Sequence, residues 1–323
     1  MKERYSRSLV QRLSFLAVGN VLLLLAIWLF MKEGGSFRQV LWRMGPNVAP
    51  VAIAGLGMTG IIFAGAIDLS VASVIVVAGA VFGILVSHGA APWVCFAACV
   101  ATAWGLSMAN GYLVRLLKIP AIIVTLAGLA FYRGLALVIA DLGVPGFSGN
   151  ISVPDERYHG PGKSYAGWIL IGALVFAAVW ELFAKSPRRW LALGNSEEAC
   201  RLLGVNPGAV LQNAFCLGGV FLGLAALIFT TRVQAIEPAR MALGFELQVI
   251  GAVVLGGANI FGGEGSYAGT VLGAVFLYLI LELLIYAGVS PYFQELITGS
   301  IIVAVIGLDC GLHRKEKLLE ELA

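Results

Sequence analysis

Residues Ala184–Pro207, AKSPRRWLALGNSEEACRLLGVNP, form a short polar segment in a chain that is otherwise almost continuously apolar. Within the segment, Asn195 is predicted to be a helix N-cap, and Glu198 has the spacing of the carboxylate in a capping box. Gly204 suits the left-handed position after a helix, and Pro207 prevents the helix from continuing. The pattern predicts a helix of about two turns that is closed at both ends.

Three basic residues precede this helix, namely Lys185, Arg188 and Arg189. An excess of Lys and Arg is typical of loops on the cytoplasmic side of a membrane, so the segment is predicted to lie inside the cell. A short capped helix between two membrane spans either offers a surface to another protein or only connects the spans. The residues alone leave both interpretations open.

The composition indicates an integral membrane protein. Of the 323 residues, 59% are hydrophobic and only 12% are charged, against about 25% charged in ordinary globular domains. The 41 glycines and the mean hydropathy of +0.92 are typical of membrane helices that pack closely in lipid. We predict an all-α fold that forms a single transmembrane domain over residues 1–323. The net charge of +3, without basic runs among aromatics, argues against nucleic acid as a partner.

The residue types that build catalytic and metal sites are sparse. The five cysteines share no metal-ligand spacing; they are Cys95, Cys99, Cys200, Cys216 and Cys310. The three histidines fall at the ends of apolar runs or in loops; they are His88, His159 and His313. Neither a Ser-His-Asp set nor an aligned pair of carboxylates can be assembled, so we expect neither an enzyme nor a metal centre.

About ten apolar runs are long enough to cross a membrane, since a span needs about 20 residues. The predicted spans are Leu13–Phe30, Val48–Ile67, Val71–Ser87, Pro92–Val114, Ile119–Ala140, Tyr165–Phe183, Gly208–Thr230, Leu243–Phe261, Ser266–Ala287 and Tyr292–Leu308. The first run has no small-residue cleavage site and is predicted to be retained. With both termini in the cytoplasm, the inside segments hold 13 Lys and Arg and the outside segments seven, which favours this topology.

Few polar residues fall at membrane depth. Asp68, Ser70 and Ser73 lie where the second span should end and the third begin. Asp68 or Ser70 can cap the third span, and a break there can also present polar groups to a permeation path. Asn259 lies in the glycine-rich stretch between spans eight and nine, where it is either a turn cap or a group that lines the path.

Two stretches resemble nucleotide-binding loops but lack their context. Gly55–Gly60 matches G-x-G-x-x-G, yet it lies inside an apolar span with no preceding strand. Its glycines instead let neighbouring helices pack closely or let the span break. Gly57 is therefore a candidate residue of the permeation path. Gly162–Ser164 resembles the end of a phosphate loop, but the first glycine that such a loop needs is replaced by Arg157. We therefore expect no ATP site in this chain.

Four blocks, in this order, resemble a known family. They are GAIDLSVAS at Gly65–Ser73, NGYLVRLLKIPAIIVTLAGL at Asn110–Leu129, GNSEEACRLLGVN at Gly194–Asn206 and GFELQVIGAVVLGGANIFGGEGS at Gly244–Ser266. They are similar to the permease subunits of bacterial ATP-binding-cassette (ABC) importers for monosaccharides, the group of the ribose, xylose, arabinose, rhamnose and autoinducer-2 permeases. The chain departs from the family pattern at Ala66, Ala72 and Gln248, which weakens inference about the sugar but not about the fold.

The resemblance implies a fold of about ten spans in the bacterial inner membrane and several partners. Two permeases, identical or different, would pair, and a periplasmic sugar-binding protein would deliver the substrate. Cytoplasmic ATPase subunits would bind the ATP, so this chain needs no cofactor. It also implies that residues 184–207 form the loop that contacts the ATPase. The implied coupling residues are Gly194, Asn195, Glu197, Glu198, Arg201, Leu202 and Gly204.

The leading hypothesis is therefore a permease subunit that imports a monosaccharide or a related small polyol by alternating access. A branched-chain amino-acid permease is the first alternative, because that group belongs to the same superfamily. An ion-coupled secondary transporter would need ionisable residues near the membrane midplane, where only Arg133 lies well inside a predicted span. A scaffold or receptor without transport is the remaining alternative.

Overall fold

The computed structural model describes residues 2–31, 37–144, 146–290, 292–294, 296–301, 303–304 and 307. The chain folds into a bundle of apolar helices with one two-stranded ribbon. The helices are α1 Lys2–Phe30, α2 Phe37–Phe63, α3 Val71–Ser87, α4 Pro92–Leu117, α5 Ala121–Gly143, α6 Gly160–Lys163, α7 Ala166–Phe183, α8 Ser186–Asn195, α9 Glu197–Leu202, α10 Pro207–Arg232, α11 Phe245–Leu255 and α12 Tyr267–Tyr286. The strands are β1 Ile151–Ser152 and β2 Ala235–Ile236, and a 3-10 turn covers Glu156–Tyr158.

Seven of these helices are long and apolar enough to cross a membrane, and α3 and α11 are apolar but shorter. The prediction of an all-α membrane protein is confirmed. The number of ten spans and the cytoplasmic position of both termini stay predictions. The tenth predicted span, Tyr292–Leu308, lies partly outside the described residues, although residues 292–294 and 296–301 are helical.

The centre of the bundle is formed by α2 and α10, whose apolar residues are mostly buried. Small residues let α10 approach its neighbours closely: a Cβ at Gly219 would lie 2.9 Å from the Ser107 side chain, and one at Gly223 would lie 2.8 Å from the Val100 carbonyl oxygen. Gly219 and Gly223, four residues apart on α10, thus serve helix packing. The peripheral helices expose large apolar side chains such as Phe15 and Trp168, which suits contact with lipid.

Helix α2 begins eleven residues before the predicted start at Val48 and continues through Pro46 and Pro50. A proline removes one backbone donor and leaves the carbonyl four residues earlier without its helical partner. The carbonyl of Pro46, freed in this way by Pro50, accepts a hydrogen bond from Arg232 Nη1 at 3.1 Å. The expected boundary was wrong because a side chain from α10 replaces the missing donor.

A small cap covers the end of the bundle that is predicted to be extracellular. Its β1 and β2 strands pair antiparallel, with Ile151 opposite Ile236, and both side chains pack against Gly83 of α3. The buried His159 ring contacts two backbone carbonyls through its two nitrogens, at 2.7 and 2.9 Å. On the surface of the cap, hydrogen bonds from Arg157 hold the pKa of Asp155 below its usual range.

Helix α11 ends at Leu255, whereas the span was predicted to run from Leu243 to Phe261. Gly256 and Gly257 follow, and Gly257 has a φ of +88°, a backbone conformation that favours glycine and stops a helix. The α11–α12 loop is therefore longer than expected. Hydropathy did not reveal this end because the loop residues are themselves apolar or small.

Candidate functional site: an exposed helix and a buried polar junction

The segment predicted as one capped helix consists of two helices, α8 and α9. Helix α8 ends at Asn195, and the N-cap of α9 is Ser196, whose Oγ accepts a hydrogen bond from Ala199 N at 3.1 Å. The predicted N-cap at Asn195 and the capping box with Glu198 are therefore wrong: the cap lies one residue later, so Glu198 is the second helical residue rather than the third. Gly204 has the predicted left-handed backbone, with a φ of +73°.

The end of α8 is attached directly to the backbone of the bundle. Asn195 Nδ2 donates to the carbonyls of Leu191, at 2.8 Å, and Gly263, at 3.3 Å. A Cβ at Gly194 would overlap with the carbonyl oxygen of Phe63 and the amide nitrogen of Gly263, which are themselves hydrogen-bonded at 3.2 Å. The last residues of α8, the end of α2 and the α11–α12 loop thus meet at one point.

Helix α9, by contrast, presents most of its surface to solvent. Its exposed residues include Glu197, Glu198, Arg201 and Leu202, and Leu203 follows the helix. Leu202 and Leu203 are 84% and 81% exposed, while Cys200 alone is buried and anchors the helix. Arg201 Nη2 and Glu197 Oε1 form an exposed ion pair at 2.6 Å. The result is a small amphipathic surface with two unpacked leucines beside charged groups.

A cleft of about 400 Å³ lies beside α9, between α8 and the first turns of α10. Its polar lining includes Arg189, Asn206 and Asn213, and its floor includes Trp190. Asn206 caps α10 by accepting a hydrogen bond from Ala209 N at 3.2 Å. The lining of the cleft includes Gly204, two residues after α9 ends.

The second part of the site is the junction between α2 and α3, residues 64–70. Asp68 is fully buried, and its Oδ1 accepts hydrogen bonds from Ser70 N at 2.8 Å and Ser70 Oγ at 2.6 Å. Ser70 Oγ in turn accepts from Asn110 Nδ2 at 2.8 Å, and Asn110 Oδ1 accepts from the Tyr132 hydroxyl at 2.7 Å. A continuous chain of polar groups therefore joins the junction to α4 and α5.

Two further contacts tie α5 to this junction. Thr125 Oγ1 donates to the Ile67 carbonyl at 3.2 Å, and Ser73 Oγ donates to the Leu129 carbonyl at 2.7 Å. Ser70 occupies the N-cap position of α3, but its side chain makes no capping hydrogen bond. Of the two capping residues that the sequence allowed, Ser70 makes no capping hydrogen bond, because its Oγ, the atom that would accept from the α3 backbone, instead accepts from Asn110 Nδ2.

The structure places the predicted path residues in three different places. Asp68, Ser70 and Ser73 are together and buried. Gly57 is buried against α10, where a Cβ would lie 2.7 Å from the Gly218 carbonyl oxygen. Asn259 acts as a turn cap in the α11–α12 loop, since its Oδ1 accepts from Phe261 N at 2.9 Å.

Asn110 and Tyr132 were missing from the predicted set. The signal for Asn110 was present, because it is an amide within an apolar span, and polar residues there are rare and usually have a partner. Tyr132 gave no comparable signal. Within the part of the chain that the structure describes, no group of three or more His, Cys, Asp or Glu could hold a metal ion.

The family described as "Branched-chain amino acid transport system / permease component" has a sequence profile that matches residues 47–306 of this chain. The chain belongs to this permease family. Among curated relatives, the autoinducer 2 import system permease protein LsrC of Escherichia coli (strain K12 / DH10B) is 33% identical over 90% of this permease and 88% of its own length. The ribose import permease protein RbsC of Haemophilus influenzae is 29% identical over 96% of each chain.

A solved structure gives the same fold at greater distance. A chain of a metal-chelate type ABC transporter in an inward-facing conformation aligns with a TM-score of 0.55 and 13% identity, covering 95% of this permease and 99% of that chain. Together with the apolar helices, the comparisons place this permease in the inner membrane as a multi-pass protein. The family is a transport component and not a catalytic subunit.

Proposed function

We propose that this permease is the membrane-spanning subunit of an ABC importer that carries a monosaccharide or a related small polyol into a bacterial cell. The observation that supports this most is the exposed α9 helix, attached to the bundle through close backbone contacts at Gly194. Relatives named for the import of ribose and autoinducer 2 support the substrate class. ATP would be bound by a separate cytoplasmic subunit, so this chain needs no cofactor.

The coupling surface would be α9 with the neighbouring cleft. Leu202 and Leu203 offer apolar contact area, and Glu197, Glu198 and Arg201 surround it with charge. Buried apolar anchors within a polar rim are typical of specific protein interfaces. The ATPase would dock on this surface and contribute a side chain to the cleft beside Arg189.

Force would then pass from α9 to the membrane helices through α8. Gly194 packs against backbone atoms of the end of α2 and of the α11–α12 loop, and Asn195 Nδ2 donates to the Gly263 carbonyl of that loop. Close-packed contacts of this kind transmit displacement with little compression. The α2–α3 junction follows Phe63 directly, and its polar network extends to α4 and α5. Movement of α9 would thus rock several spans together, as alternating access requires.

A complete importer would contain further subunits. A second permease, identical to this one or a sister chain, would complete the pathway, and a periplasmic sugar-binding protein would deliver the substrate to the outer cap. The transmembrane domain over residues 1–323, with the coupling loop at residues 184–207, would form one half of the membrane portion.

A branched-chain amino-acid permease is the second candidate, favoured by the description of the matching family. The two substrates differ in charge, since an amino acid is a zwitterion and a monosaccharide is neutral. Competition between labelled ribose and unlabelled leucine for uptake would separate them.

Uptake of radiolabelled ribose, xylose, arabinose and rhamnose, in cells with and without the ATPase subunit, tests the proposal. We expect uptake of at least one sugar, and its complete loss when the ATPase is depleted while this permease stays in the membrane. Uptake that continues without the ATPase would contradict the proposal and favour a secondary transporter.

A further inference from the structure

The segment between β2 and α11, residues 237–244, turns back into the bundle instead of staying with the outer cap. Arg133 Nη1 donates to the carbonyl oxygens of Met241, at 2.6 Å, and Pro238, at 3.2 Å. Arg133 lies ten residues before Gly143, the last residue of α5, which is about 15 Å along the helix axis. A side chain in the middle of α5 therefore holds this loop.

A second helix places the loop at a similar depth. The Met241 side chain packs against Gly79 of α3, where a Cβ would lie 3.2 Å from Met241 Cε. Gly79 lies eight residues before Ser87, the last residue of α3, or about 12 Å along the axis. Two independent contacts thus show that residues 237–244 enter the depth of the bundle.

The part of the chain that crosses the membrane after this point is only partly helical. Helix α11 has 11 residues and is about 16 Å long, roughly half the thickness of the hydrocarbon layer. The residues before it form turns, with Ala242 and Gly244 at φ values of +57° and +71°. Irregular backbone at membrane depth is tolerated only where it is buried in protein or lines a water-filled cavity.

Within the described residues, part of this segment is exposed. Leu243 and Leu247 are 65% and 54% exposed, and Glu246 and Gln248, which flank Leu247 on the helix, are partly exposed. From Val249 to Val254 the helix is buried, so the exposed surface is confined to its first turn. Polar side chains beside irregular backbone would be costly in lipid, so this surface faces a cavity or a second permease.

We propose that Leu243, Glu246, Leu247 and Gln248 line the permeation path and contact the transported molecule, an inference that rests on the proposed function. Arg133 is a positioning residue, because its guanidinium is engaged with two loop carbonyls. Glu246 and Gln248 supply hydrogen-bonding groups for hydroxyls, and the two leucines supply apolar contact for the carbon skeleton.

Single cysteines at Leu247→Cys and Gln248→Cys, tested in membranes that contain the whole transporter, can locate this surface. A charged, membrane-impermeant thiol reagent is applied to intact cells and to inverted vesicles. Val179→Cys, on the exposed apolar face of α7, is the lipid-facing control, and Gln234→Cys in the exposed outer loop is the water-exposed control. The wild-type chain, whose cysteines 95, 99 and 200 are buried, measures the background.

We expect both path variants to react at least about tenfold faster than Val179→Cys, since thiolates form in water and not in apolar surroundings. Ribose, xylose, arabinose or rhamnose should slow this reaction and leave Gln234→Cys unaffected. Reaction as slow as that of Val179→Cys from both sides would overturn the inference, as would reaction that neither a sugar nor leucine slows. Protection by leucine alone would leave the surface on the path and contradict the proposed substrate class instead.

Discussion

The α2–α3 junction and α9 are both short polar interruptions in an apolar chain, but they differ in where their polar groups find partners. At the junction, Asp68, Ser70, Asn110 and Tyr132 bond to one another in the interior. On α9, the charges face solvent and Leu202 is 84% exposed. Internal partners indicate a role in holding helices together, and charges and leucines left exposed to solvent indicate a role in binding another subunit.

Mutations in the two regions should therefore change different properties of the permease. Changes in the buried junction should lower the stability of the permease, since a buried polar group left without its partner costs free energy. Changes on α9 should leave stability intact and reduce coupling to the ATPase. Gly194 lies between the two regions and should show the largest effect on stability.

Gly194→Ala is expected to lower the free energy of unfolding by about 3 kcal/mol, because its methyl group would overlap with two backbone atoms of neighbouring segments. Gly204→Ala is the matched control. No other group lies within 4 Å of a Cβ at Gly204. The expected loss of about 1 kcal/mol in the free energy of unfolding therefore comes only from placing alanine in a left-handed backbone conformation. Thermal unfolding of both variants in detergent measures the difference, and equal midpoints would contradict the close contact at Gly194.

Asn110→Leu is expected to cost about 2 kcal/mol, because Tyr132 loses its acceptor and the buried hydroxyl of Ser70 loses a donor. Tyr132→Phe removes only one hydrogen bond and should cost about 1 kcal/mol. The same thermal measurement ranks the two variants. If Asn110→Leu were as stable as the wild type, the polar network would not hold the junction.

Glu197→Gln should have the smallest effect on stability, below about 0.5 kcal/mol, because an exposed ion pair one helical turn apart contributes little. The midpoint of thermal unfolding should therefore be almost unchanged. A clear loss of stability would mean that α9 is part of the packed structure rather than a free surface.

Much of the fold could be predicted because it follows from local patterns. The bounds of α3, Val71–Ser87, were predicted to the residue, since Ser70 precedes a continuous apolar run and Ser87 ends it. The left-handed Gly204 also followed from its position after a polar helix. Where a tertiary contact decided the outcome, as for the donor that Arg232 provides to Pro46, the predicted boundary was wrong.

The site was predicted less completely for the same reason. Asn110 and Tyr132 lie 40 and 62 positions after Ser70, and no periodicity of the sequence brings residues so far apart together. The N-cap of α9 was assigned to Asn195 rather than Ser196 because both residue types cap helices well. The hydrogen bond from Ala199 N to Ser196 Oγ and the contacts of Asn195 with Leu191 and Gly263 distinguish the two.

Affinity purification of the tagged chain from solubilised membranes tests whether α9 couples this permease to an ATPase. Wild type and Glu198→Arg are compared for the amount of ATPase that co-purifies, for sugar uptake in the matching deletion strain, and for thermal stability. We predict that the charge reversal removes the ATPase and abolishes uptake while stability is unchanged. An ATPase that stays bound, with normal uptake, would show that α9 only connects two spans.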